Sequence, residues 1–197
     1  MSTIRAFIAI ELSDEAKAVL TDAVDALAAQ VPDGAVKWVQ PNQMHLTLRF
    51  LGNTPLEKLE DLAKTLDGVA ARHEPFVFSL DALGCFPNER RPRVIWVGVK
   101  GDMERAKALR NDLEDALQPL GWEPESRPFQ PHLTLGRVKD QASSIELPWG
   151  KGVAPAETVA DGIVLFESQL SPSGARYVVR YVSRLGGKAS ESRQEAA

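Results

Sequence analysis

"HLTL" occurs at His45-Leu46-Thr47-Leu48 and again at His132-Leu133-Thr134-Leu135, in a chain of 197 residues that holds three histidines. In extended backbone the side chains alternate between faces, so His45 and Thr47 share one face while Leu46 and Leu48 share the other. His132 and Thr134 stand in the same way against Leu133 and Leu135. The leucines suit a core beneath a sheet, and the polar pair points away from it. Pro131 supports the second strand, because it biases Gln130 towards an extended conformation. A single such tetrapeptide is an ordinary half-buried strand. At usual residue frequencies a second histidine is followed by Leu-Thr-Leu on the order of once in several thousand cases, so the recurrence points to a unit written twice.

The flanking elements repeat too. "IRAFIAIEL" (4–12) reads as a strand, Ser13 as a helix N-cap, and the residues from Asp14 to Val31 as an amphipathic helix. "VKWV" and "HLTLRFLG" are strand-like around the turn former Pro41-Asn42. A second helix is expected from "TPLEKLEDLAKTLDGVAARH", with Thr54 as its cap and Pro55 at its first position. "PFVFSLDALG" and "RVIWVGVK" read as paired strands joined by the loop "CFPNERRPR". After Gly101 the order recurs. "MERAKALRNDLEDALQPL" is a helix and "RPFQPHLTLGRV" a strand; "AETVADGIVLFESQL" and "ARYVVRYVSRL" close the chain around the turn "SPSG". Residues 186–197 lack an apolar pattern and are expected to form a disordered tail after one two-lobed domain, 1–185. Hairpin-like spacing favours an α+β class with antiparallel sheets, the two tetrapeptides facing one another.

Composition narrows the function. Hydrophobic residues make up 44% and charged residues 25%, ordinary for a globular chain, and the formal net charge of −4 argues against a surface that coats nucleic acid in general. It leaves room for a small basic cleft. The single cysteine, Cys85, rules out an internal disulfide and a cysteine-rich zinc site. The apolar run Ala6–Ile10 is too short for a signal peptide or a membrane span, so a cytoplasmic location is expected.

Two histidines with two hydroxyls suit acid–base chemistry at a phosphate. A neutral imidazole takes a proton from water, while a protonated one supplies a proton to the leaving oxygen, each role contributing roughly 10²- to 10⁴-fold. Hydroxyls and a cation then hold the oxygens on which charge accumulates. Threonine is not a usual zinc ligand and no His-Glu-x-x-His spacing is present, so no metal and no cofactor are expected. A covalent route lacks its Gly-x-Ser-x-Gly elbow, and no phosphate-cradling glycine loop is visible. Among cations, Arg137 can turn in at the end of the second strand. Arg49 has the strand parity of His45 and Thr47, which places it in the same cleft. Arg90, Arg91 and Arg93 form a local basic patch that reads as readily as solvated surface. Phe7 and Phe129 are core residues before they are base-stacking ones, and His73 reads as a helix C-cap or a solvated residue.

The paired segments resemble the twin His-x-Thr-x motifs of the two-histidine phosphoesterase superfamily. "RAFIAIEL", "NQMHLTLRFLG", "PRVIWVGV", "RPFQPHLTLGR" and "LFESQLSPSGARY" are together similar to the bacterial and archaeal RNA 2',3'-cyclic phosphodiesterases, the LigT-like family historically called 2'-5' RNA ligases. The similarity runs from about Arg5 to Val182. It implies a bilobal fold around a central cleft. It also implies metal-independent hydrolysis of 2',3'-cyclic phosphates, on RNA ends or small nucleotides, to 2'-phosphomonoesters, by a monomer with no membrane partner. By resemblance His45 is the general acid and His132 the general base, with Thr47, Thr134 and Arg137 binding substrate. The residues themselves leave acid and base interchangeable. Two alternatives stand beside hydrolysis: ATP-independent 2'-5' ligation as the reverse reaction, and a catalytically silent module that binds RNA ends or nucleotides.

Overall fold

The structure, a computed structural model, describes residues 2–139, 145–171 and 174–187. The turn "SPSG" at Pro172-Ser173 and most of the expected tail, from 188 onward, lie outside the described residues. The chain runs β1 (Thr3–Glu11), α1 (Asp14–Ala28), β2 (Val36–Trp38), β3 (His45–Pro55), α2 (Leu59–Ala70), β4 (Phe76–Phe86), β5 (Val94–Gly101), α3 (Met103–Leu117), β6 (His132–Val138), β7 (Glu157–Ala160), β8 (Gly162–Ser171) and β9 (Gly174–Arg184). This is the α+β class read from the sequence, with two antiparallel sheets in the orders β3-β1-β8-β9 and β2-β6-β5-β4-β7.

Apart from the edge strand β2, the two sheets correspond strand for strand: β3-β1-β8-β9 against β6-β5-β4-β7. Each therefore takes strands from both halves of the chain. β4 crosses into the sheet of the second motif, and β8 and β9 return to the sheet of the first. Central β1 is hydrogen-bonded on both sides and covered on both faces, which explains its nearly unbroken apolar run. Ile4, Ile8 and Ile10 enter the main core with Leu46, Leu48, Leu133 and Leu135. Phe7 and Ala9 point the other way, into a second cluster with Val164, Phe166 and Val182.

The helices cover the outer faces. Ser13 caps α1 as expected, its Oγ accepting the Ala16 N–H at 3.2 Å and donating to the Glu157 carbonyl at 2.6 Å, so the cap also ties the helix to β7. In α2, Leu62, Leu66 and Val69 are buried, and Asp67 accepts hydrogen bonds from Tyr181 and Ser183 of β9, each 2.7 Å.

Several boundaries differ from the sequence reading: β6 begins at His132 and not at Arg127, β4 runs on through Cys85 to Phe86, and two further cases show why. Thr54 does not cap α2: it is fully buried in β3, paired with Ile4, and the helix starts at Leu59 after a turn of 3-10 helix. The ladder to β1 runs on to Pro55 and claims the residues that local signals assign to a cap. The stretch 156–170 is two strands, β7 and β8, which break at Asp161 and join different sheets.

Candidate active site

Both motif strands carry an irregularity at the same place. Against β1, Arg49 pairs with Ile8 and Thr47 with Ala9, so Leu48 has no partner of its own. Against β5, Gly136 pairs with Ile95 and Thr134 with Trp96, which leaves Leu135 as the extra residue. A β-bulge of this kind resets the alternation of side chains beyond it. Leu48 and Arg49 both point to the core, and Phe50 turns outward at 57% exposure. Leu135 and Gly136 are both buried, and Arg137 turns outward.

The bulges decide which cation meets the site. Arg137 lines the cleft together with Thr47, Thr134 and His45, as expected. Arg49 does not, because parity counted along an unbroken strand places it on the wrong face. It is 6% exposed and contacts Glu114 at 3.4 Å and Glu125 at 3.1 Å, while its Nη2 donates to the Glu123 carbonyl. Arg110 completes this cluster, 2.9 Å from Glu114 and 3.4 Å from Glu125. The cluster binds the bulge of β3 to α3 and to the segment that leads into the second motif.

The two histidines are held alike. Nδ1 of His45 lies 2.7 Å from the Gln43 carbonyl, and Nδ1 of His132 lies 2.7 Å from the Gln130 carbonyl. A carbonyl only accepts, so each Nδ1 carries the hydrogen and each neutral ring keeps Nε2 bare for proton transfer. Their surroundings differ. His45 stacks on Phe7 at 4.7 Å, with Tyr177 edge-on at 5.3 Å and Phe166 at 6.0 Å. His132 meets Phe86 edge-on at 5.0 Å and Trp96 at 6.1 Å. Burial pushes His45 down to about 4; the Gln43 bond opposes this and the neighbouring His132 adds to it. His132 is lowered as well, first by burial, with the Gln130 bond raising it and Arg137 lowering it.

The cleft encloses about 390 Å³. Among the described residues, Arg5, Lys37 and Arg137 line it and no carboxylate does, in a chain whose net charge is −4. Its walls include Phe50, Trp38 and Tyr177. Burial raises the Tyr177 phenol, opposed by Arg137 and Arg5. Arg5 and Lys37 were not singled out from the sequence, although Arg5 shares the parity of Phe7 and Lys37 lies opposite Arg137 in the β2–β6 register.

Other candidates lie elsewhere. Phe7 is 3% exposed beneath His45 and serves as its wall. Phe129 packs on the core under the Arg110 guanidinium, 5.8 Å away. His73 is neither a C-cap nor solvated: its Nε2 lies 3.0 Å from Asp112 and joins the end of α2 to α3. Arg90, Arg91 and Arg93 are exposed, and Arg90 borders a separate hollow. Among the described residues, no group of three or more His, Cys, Asp or Glu could hold a metal ion, and no helix is long and apolar enough to cross a membrane.

The family model described as LigT like Phosphoesterase matches residues 10–96 and 97–177, one motif in each span. The RNA 2',3'-cyclic phosphodiesterase of Methanothermobacter thermautotrophicus is 32% identical over 188 residues, covering 92% of this chain and 99% of that protein. The protein of the same name from Thermus thermophilus is 36% identical over 183 residues, 89% of this chain and 87% of its own length. Among solved structures, a Thermus thermophilus protein aligns with a TM-score of 0.78 at 31% identity, over 94% of this chain and all of that one. Escherichia coli LigT, crystallised with 3'-AMP, aligns with a TM-score of 0.73 at 26% identity, over 93% of this chain and 99% of LigT.

Proposed function

The chain belongs to the LigT-like phosphoesterase family, and on that premise we propose that it is an RNA 2',3'-cyclic phosphodiesterase working by paired-histidine acid–base catalysis without a metal. The observation that carries the mechanism is the matched anchoring of the histidines: each Nδ1–H is committed to the carbonyl two residues upstream, beside a cleft that both threonines line and that no carboxylate lines among the described residues. Relatives named for the same reaction, and a LigT crystallised with a nucleoside monophosphate, support a nucleotide ligand there.

In this scheme the cyclic phosphate sits between the two strands. Its non-bridging oxygens accept hydrogen bonds from the hydroxyls of Thr47 and Thr134 and from the Arg137 guanidinium. Nε2 of His132 takes a proton from water as the water oxygen attacks phosphorus. The P–O3' bond breaks, and protonated Nε2 of His45 delivers its proton to O3', leaving a 2'-phosphate. The direction of transfer rests on family resemblance. Burial by itself holds His45 at about 4, so in this scheme the anionic substrate, with no carboxylate among the described lining residues, raises it before it acts as the acid.

Two measurements test the scheme. With a 2',3'-cyclic nucleotide in excess EDTA, turnover is unchanged and the only product is the 2'-monophosphate; loss of turnover, or a 3'-monophosphate, overturns it. A substrate with sulfur at the 3' bridging position needs little protonation on leaving. It restores the His45→Ala variant and not His132→Ala, and the reverse pattern exchanges the two roles.

A further inference from the structure

Beyond His132 the inner face of the second sheet continues into an open hollow of about 790 Å³, twice the size of the cleft. Directly opposed residues on neighbouring strands share a face and lie about 4.8 Å apart. Thr134, Trp96 and Gly84 form one such row across β6, β5 and β4, and His132 with Gly98 forms the adjacent row. The hollow is lined by Trp96, Gly98 and Gly84, with Asp81, Asn88 and Glu89 among its polar groups. It therefore begins one strand over from His132, whose imidazole lies 6.1 Å from the Trp96 ring, centroid to centroid.

Its two floor glycines differ in a telling way. A Cβ on Gly84 would lie 2.2 Å from the Trp96 ring, so the indole needs a bare backbone to lie flat across β4. A Cβ on Gly98 would meet nothing closer than Trp96 Cζ3 at 3.5 Å and the Ala82 carbonyl at 3.6 Å, and its φ lies outside the left-handed region. Neither packing nor backbone requires glycine at 98. What its bareness does is keep the floor open between His132 and the hollow.

The charges divide the two spaces. Among the described residues the cleft has three cations, Arg5, Lys37 and Arg137, and no carboxylate, which suits phosphate. The hollow has an aromatic plane, with the Asp81 and Glu89 carboxylates, the Asn88 amide and one cation, Arg90, around it; Asp81 also pairs with Lys100 at 3.3 Å. This mixed lining favours phosphate less than the cleft does, and its carboxylate and amide oxygens accept hydrogen bonds from exocyclic amino groups. We propose that the hollow is a nucleobase subsite, in which Trp96 is the stacking platform and Gly98 the open floor, for a base of the nucleotide chain whose cyclic phosphate lies in the cleft. The proposal rests on the assignment of the cleft to a cyclic phosphate and extends it to what is recognised beside the phosphate.

The test compares wild type and Gly98→Leu on three substrates: adenosine 2',3'-cyclic phosphate, a diadenylate ending in a 2',3'-cyclic phosphate, and ribose 2',3'-cyclic phosphate, which has no base. Leucine at 98 fills the floor and raises KM for base-bearing substrates about tenfold or more, the scale of one lost stacking contact, with kcat little changed. Ribose cyclic phosphate keeps its wild-type kcat/KM. Impairment on both nucleotides assigns the hollow to the terminal base, and impairment on the dinucleotide alone assigns it to the next one. Unchanged kinetics on all three, or equal impairment on the base-free substrate, overturns the subsite. Gly98→Ala shows the same pattern in smaller measure should the leucine variant not fold. Failure of wild type on all three would instead overturn the activity assigned to the cleft, a separate outcome.

Discussion

The strands β3 and β6 begin with the same four residues and bulge at the same fourth position, yet the next two residues send them to different work. After the first motif come Arg49 and Phe50, so the bulge buries a guanidinium and turns a phenyl ring to the cleft. After the second come Gly136 and Arg137, so it buries a glycine and turns a guanidinium to the cleft. Gly136 is required there, since a Cβ would lie 2.7 Å from Val36 and 2.9 Å from the Trp38 ring. A duplicated strand can thus keep its histidine–threonine pair while the residues beyond the bulge divide the labour, one copy holding the scaffold and the other lining the cleft.

The largest expected effect tests what the copies share. His45→Ala and His132→Ala should each lower kcat roughly 10²- to 10⁴-fold, and the double variant should lose less than the product of the two, since both act in one step. Near wild-type turnover in either single variant removes that histidine from the chemistry.

The next tests what they do not share. Arg137→Met should lower kcat/KM by about 10²-fold with an unchanged melting temperature, because it removes charge stabilisation from an exposed side chain. Arg49→Met should do the reverse. It removes one of the two cations that face Glu114, which is 5% exposed, at a cost of up to about 3 kcal/mol less the share that Arg110, 2.9 Å away, still supplies, while the folded fraction keeps its activity. Equal kinetic losses in the two variants would erase the contrast.

The smallest effect concerns the unequal burial of the histidines. Since folding lowers His45 from 6.5 to about 4, the unfolded chain binds the proton more tightly, and stability must fall as pH drops through that interval. The contribution is fully present above about pH 6.5 and lost below pH 4, about 3 kcal/mol at 1.36 kcal/mol per pKa unit. Urea unfolding at pH 7 and pH 4.5 should show this slope in wild type and a shallower one in His45→Ala. NMR titration should place His45 well below its ordinary value in the empty cleft and show it rising when inorganic phosphate binds.

Much of this was legible in the chain. The faces of His45, Thr47, His132 and Thr134 follow from alternation, and the Ser13 cap from local hydrogen-bonding chemistry. Arg49 was misplaced because a bulge is a property of a strand pair: nothing within "HLTLR" shows that Leu48 will lack a partner on β1. Thr54 was misread for a related reason, as a long ladder outweighs a local capping signal. Arg5 and Lys37 gain meaning only beside Arg137, which is far from both in sequence.

By itself the sequence determined the duplicated strand, the α+β class and the histidine–threonine pairs, since all of these depend on the two-residue period of extended backbone and on short-range propensities. Tertiary structure decided which arginine lines the cleft, how β4, β8 and β9 exchange between the sheets, and how differently the two imidazoles are buried. Those outcomes arise from strand registers and from the packing of Phe7, Phe86, Trp96 and Tyr177, which bring together residues that the chain keeps far apart.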